Sequence, residues 1–104
     1  MQLKSVYNAL TQAAKTGDSI KSESCSYLTV VFDTPVSAPT IKIYGTTRHG
    51  LTVILHTEAA LAANKIVDIS NAGAFETIYA VIDTVASDTC KVELLAVFKF
   101  EGQS

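Results

Sequence analysis

Cys90-Lys91-Val92-Glu93-Leu94-Leu95-Ala96-Val97-Phe98-Lys99-Phe100 is the stretch on which the fold of this chain turns. Successive side chains of a β-strand point to opposite faces, so residues two apart share one face. Val92, Leu94, Ala96, Phe98 and Phe100 then form an unbroken apolar stripe. Lys91, Glu93, Leu95, Val97 and Lys99 form the other, charged toward its ends and apolar at Leu95 and Val97. A helix would scatter both sets around its axis, whereas a strand buries the first against a core.

The same period of two runs upstream. Residues 75–84 set Ile78, Ala80 and Ile82 against Tyr79, Val81 and Asp83. Residues 26–33 set Leu28, Val30 and Phe32 against Tyr27, Thr29 and Val31, and residues 40–47 set Ile41 and Ile43 against Lys42 and Tyr44. Residues 52–57 are short and apolar, and residues 65–70 alternate again. Pro35 and Pro39 mark 34–39 as a connection, since proline cannot donate to a sheet ladder. Arg48-His49-Gly50 reads as a hairpin turn, with Asn71-Ala72-Gly73 and residues 86–89 as further turns. Residues 58–64 favour helix but are too few to hold one alone, which leaves a single helical turn or an irregular crossover. In residues 1–17, Val6, Leu10, Ala13 and Ala14 have helical spacing, while Thr11, Thr16 and Gly17 suit an extended arm. Regular strand spacing without a long helix predicts an all-β fold, an antiparallel jelly-roll-like β-sandwich of six to eight strands. An N-terminal arm or short helix occupies 1–17, and a single sandwich domain occupies 18–104.

Composition agrees. Of 104 residues, 30 are Val, Ile or Thr, whose branched side chains fit a pleated surface. Apolar residues make up 48% and charged ones 17%, against roughly 25% charged in an average domain. Such a chain has the means to form a core and is not intrinsically disordered. Its eight basic residues are scattered and its net charge is −2, so no nucleic-acid partner is expected. The longest apolar run, residues 94–98, falls far short of the roughly 20 residues of a membrane-spanning helix. The opening residues carry no apolar leader run, so no signal peptide is expected and the thiols are expected to stay reduced. Parity places Cys90 in the core, and it places Cys25 on the opposite face, partly exposed and free.

No catalytic motif emerges. His56-Thr57-Glu58 lacks the Pro-Cys-x-x-Cys that completes a zinc deaminase site, and Cys25, His49, His56 and Cys90 lack zinc-finger spacing. Asp33, Asp68, Asp83 and Asp88 fall at strand ends and turns, where Asp ordinarily bonds nearby amides. Tyr7, Tyr27, Tyr44 and Tyr79 could line a sugar platform, although no Trp accompanies them. The expectation is a non-enzyme without cofactor or metal.

The outer-face residues carry the functional reading. If the strands of 75–84 and 90–100 pair, Tyr79, Val81, Leu95 and Val97 form one apolar outer patch. The arm or the 58–64 segment could cover it, or it could be a subunit contact, since monomers rarely expose contiguous apolar patches. Val6, Tyr7 and Leu10 are the corresponding candidates on the arm.

Gly17-Asp18-Ser19-Ile20, Ser26-Tyr27-Leu28-Thr29-Val30 and Thr40-Ile41-Lys42-Ile43-Tyr44-Gly45 occur in that order. The chain then presents Ile78-Tyr79-Ala80-Val81-Ile82 before Lys91-Val92-Glu93-Leu94. Over roughly 17–98 this resembles small β-sandwich structural proteins of tailed bacteriophages, with Arg48-His49-Gly50 where that family often carries Asp-Gly and Trp. The resemblance implies a tyrosine-bearing strand hairpinned to the last strand. It implies a virion structural protein made in the host cytoplasm, such as a capsid decoration (cement) protein or head fibre, or a tail-associated one. The implied partners are copies of itself, as a trimer or other symmetric homo-oligomer, and the major capsid protein or another virion protein. The competing reading is a carbohydrate- or ligand-binding β-sandwich module.

Overall fold

Two of the longest alternating stretches become neighbours in one sheet. A computed structural model of the chain describes residues 3–6, 9–10, 16–17, 19–82 and 89–99. Its strands are β1 (Leu3–Val6), β2 (Ala9–Leu10), β3 (Ile20–Lys21), β4 (Tyr27–Val36), β5 (Ile41–Thr46), β6 (Thr52–Glu58), β7 (Lys65–Ile69), β8 (Thr77–Ile82) and β9 (Thr89–Lys99). One sheet runs β1-β9-β4-β7, with β2 also on β9, and the other runs β3-β8-β5-β6. All pairings are antiparallel. β1 and β2 share one register on β9, from Leu3 opposite Lys99 to Leu10 opposite Val92, and so act as one interrupted strand. Counted that way the described residues form eight strands in the nested order of a jelly roll.

The core lies between the sheets. Leu28, Val30 and Phe32 of β4 and Val92, Leu94 and Ala96 of β9 face Ile41 and Ile43 of β5 and Ile78, Ala80 and Ile82 of β8, all buried. Fully burying a large aliphatic or aromatic side chain is worth roughly 1.5–3 kcal/mol, so this inner layer dominates the favourable side of folding.

The connections correct three expectations. β8 and β9 lie in different sheets and are not a hairpin. Alternation says which face of a strand is apolar but not which sheet it joins, and two apolar stripes bury each other as well across a core as side by side. The one connection that stays within a sheet is β5 to β6, where the Thr47 amide donates to the Leu51 carbonyl and Gly50 takes φ +89°. The second correction is Pro35, which lies within β4. The register with β9 slips between Asp33 and Val36, and Thr34 takes φ +50°. This bulge admits a proline, and the displaced Thr34 amide donates to Asn64 Oδ1 at 2.8 Å.

The third concerns Cys25, which is buried at 7% exposure. It precedes β4 in a turn, where strand parity no longer applies. Its amide donates to the Ser22 carbonyl at 3.0 Å, and the Ser24 amide to the Gly73 carbonyl at 2.9 Å. Ser22 is fully buried there and donates its Oγ to the Phe75 carbonyl at 2.9 Å. Cys90 is a core residue, donating its thiol weakly to the Asp33 carbonyl. Residues 59–64 form the crossover from β6 to β7, pinned where the Leu61 amide donates to the Pro39 carbonyl at 2.9 Å.

Candidate functional site

Because β8 and β9 are in different sheets, the four-residue outer patch divides. Tyr79 and Val81 lie on the outer face of the β3-β8-β5-β6 sheet, and Leu95 and Val97 on the outer face of the other. All four are half-buried. Val6 stands opposite Ala96 and Leu10 opposite Val92 in the sheet register, and Tyr7 lies outside the described residues.

On the first face, Tyr44 of β5 sits opposite Tyr79 of β8, with ring centroids 5.3 Å apart and planes 11° from parallel. Strand order brings them together, and neither alternation nor spacing in the sequence indicates it. The Gly17 amide donates to the Ala80 carbonyl at 2.8 Å, and Thr16 bridges to Val81. These contacts set Thr16 and Gly17 beside β8. Thr16, Gly17, Ser19, Tyr44, Tyr79 and Val81 thereby line a shallow cleft of about 470 Å³. Among the described residues, its lining holds no carboxylate or imidazole.

On the second face, β9 places Leu95 opposite Thr29 and Val97 opposite Tyr27. β7 places Ile66, 66% exposed, opposite Val31. Thr29 donates to Asp68 Oδ1 at 2.7 Å, so Asp68 serves a cross-strand bond within the sheet. Near its end, Val31, Phe32, Asp33, Asn64, Lys65 and Ile66 line a second open cleft of about 420 Å³.

Three titratable side chains meet where β6 turns toward β7. Glu58 takes a bond with His56 Nε2 at 3.0 Å and accepts one from Lys65 Nζ at 2.9 Å. Its carboxylate is only 14% exposed, and the bonds from His56 and Lys65 hold its pKa below the ordinary value of 4.5. The three satisfy one another and tie an edge strand of one sheet to an edge strand of the other. His56 is thus a half-buried partner inside β6, not a free surface residue at a strand end. Among the described residues no group of three or more His, Cys, Asp or Glu is placed to hold a metal ion. Asp83 and Asp88 lie outside those residues.

Alternation does not indicate the exposure of β6. Leu51, Val53 and Ile54 are 68%, 44% and 51% exposed. Among the described residues, β6 pairs only with β5 and leaves its other edge open. The signal in the sequence is Val53-Ile54-Leu55, three successive apolar residues that break the alternation.

No protein-family profile matches the chain, and neither does any curated protein sequence. Solved structures do share the fold. The chain is similar to the SPBc2 prophage-derived protein YomS, with a TM-score of 0.64 and 17% identity over 92% of this chain and 96% of that one. It is also similar to a chain of the Bacillus endospore appendages that form disulfide-linked pili, with a TM-score of 0.52 and 14% identity over 96% of this chain and 88% of that one. At these identities the likeness shows a common fold.

Proposed function

We propose that this protein is a non-enzymatic structural subunit of a tailed-phage particle, acting as a capsid decoration protein through contacts with its own copies and with the major capsid protein. The observation that carries this reading is the jelly-roll likeness to a prophage-derived protein along nearly the whole of both chains. The division of Tyr79 and Val81 from Leu95 and Val97 supports it, because half-buried apolar residues on both outer faces suit a subunit with a neighbour on each side. The His56–Glu58 bond also suits a structural role, since it ties these two side chains to one another. A disulfide linkage between subunits is not part of the reading, since Cys25 and Cys90 are both buried as free thiols.

Density-gradient purification of phage particles from the source strain, followed by immunogold labelling of this chain, tests the proposal. Label on heads is the expected result, and label on tails replaces decoration with a tail-associated role. Particles without the chain overturn the virion reading altogether.

The Tyr44–Tyr79 cleft favours a second reading, a carbohydrate-binding module. Glycan-array binding that is lost in Tyr44→Ala would replace the structural reading with it.

A further inference from the structure

Side chains that readily give up a single electron are scarce and unevenly placed in this chain. Trp is absent, and the sole methionine, Met1, lies outside the described residues. Cys25 and Cys90 are both buried, and burial raises the pKa of each thiol, so both stay protonated and shielded. Thiol oxidation follows thiolate character and exposure, which these two lack. The tyrosines remain: Tyr27, Tyr44 and Tyr79 among the described residues, each half-buried. Tyr27 belongs to β4, in the other sheet. Tyr44 and Tyr79 stand directly opposite each other on β5 and β8, with ring centroids 5.3 Å apart and planes 11° from parallel.

We propose that Tyr44 and Tyr79 are a preset site of oxidative cross-linking, at which a diffusible one-electron oxidant joins the two rings as dityrosine and staples β5 to β8. Each phenol gives one electron to the oxidant and one proton to water. The two phenoxyl radicals couple through a new bond between ring carbons ortho to oxygen. The hydrogen on each joined carbon then moves to its own oxygen, which restores two phenols. The chain loses two electrons and two protons in all, and the oxidant takes up both electrons. Holding the rings side by side turns a bimolecular coupling into an internal one. The shallow cleft that both rings line leaves space for the tilt the new bond needs. Thiols do not cut a carbon–carbon bond, so the staple holds where a disulfide is reduced.

This inference goes beyond the function proposed above and stands whichever reading of it holds. Its test uses the whole chain at low concentration, oxidised by persulfate with a photo-excited ruthenium tris-bipyridyl complex. Trypsin leaves Tyr44 alone in residues 43–48, Tyr79 in 66–91, Tyr27 in 22–42 and Tyr7 in 5–15, so mass spectrometry identifies each linkage. The expected product is a chain of monomer mass in which 43–48 is joined to 66–91, lighter than the two peptides together by two hydrogens. Oxidation in urea, where the sheet no longer holds the rings together, is expected to lower the yield of that link by about tenfold or more. Tyr44→Phe and Tyr79→Phe are each expected to abolish it and Tyr27→Phe to leave it, with circular dichroism checking that each variant folds. The cross-linked chain is expected to unfold at a higher urea concentration, since a link between residues 44 and 79 restricts the unfolded chain. A link that forms as readily in urea, that survives Tyr44→Phe, or that arises only between chains overturns the site. Tyrosine oxidation without this link overturns it too, and an unchanged urea midpoint overturns the staple.

Discussion

A Cβ added at Gly73 would stand 2.3 Å from the carbonyl oxygen of Cys25. The close approach clamps the turn before β4 to the short 3-10 helix Ala72–Ala74 that leads toward β8, and the Ser24 and Ser22 bonds depend on it. The obstructing atom is backbone, so it cannot swing aside. Gly73→Ala is expected to cost about 1–3 kcal/mol, as overpacking of a dense site does. Gly50→Ala meets nothing within 4 Å and carries only the cost of φ +89°, roughly 1–2 kcal/mol. Urea unfolding of both variants checks the pair: Gly73→Ala also loosens the Cys25 turn and exposes its thiol to alkylation, whereas Gly50→Ala leaves the thiol protected.

Glu58 should give the protein an acid-sensitive edge. Its bonds with His56 and Lys65 lower its pKa in the folded state below the ordinary 4.5. The stability this contributes is fully present above the unfolded value and is lost as pH falls through the folded one. Unfolding midpoints measured from pH 7 to pH 3 should therefore fall on the acid side, and Glu58→Gln should flatten that limb. If Glu58→Gln leaves the acid limb as steep as the wild type, the carboxylate has no role in it.

The stacked tyrosines should couple energetically. Aromatic pairs contribute about 0.5–1.5 kcal/mol beyond their buried area. A double-mutant cycle of Tyr44→Ala and Tyr79→Ala, read by urea unfolding, should return a coupling energy in that range. Coupling near zero would mean that the two rings merely lie close.

How much of this was legible in the sequence follows from what alternation encodes. The inward positions of β4, β5, β8 and β9 were legible because each strand keeps strict alternation over its core-facing length, as Leu28, Val30 and Phe32 illustrate. Alternation is local, so it was silent on strand order. Alternation therefore lets Tyr79 and Leu95 share a surface if their strands pair, whereas they lie on opposite ones, and it does not match Tyr44 to Tyr79. Cys25 was misjudged because a face was extrapolated through a turn. Pro35 was misjudged because a bulge offers proline a place that a flat ladder denies it. The open edge of β6 was the hardest to see, since an apolar run reads equally well as a strand buried on both faces.

The position of β9 governs when the molecule can come into being. It is the last strand in order, yet it sits between β4 and the β1–β2 pair. On the ribosome, β1 and β2 emerge early and have no ladder to join until some eighty residues later. Every connection but one crosses between sheets, so few contacts are local, and long-range pairing of this sort folds slowly. The sandwich thus cannot close before β9 has been made.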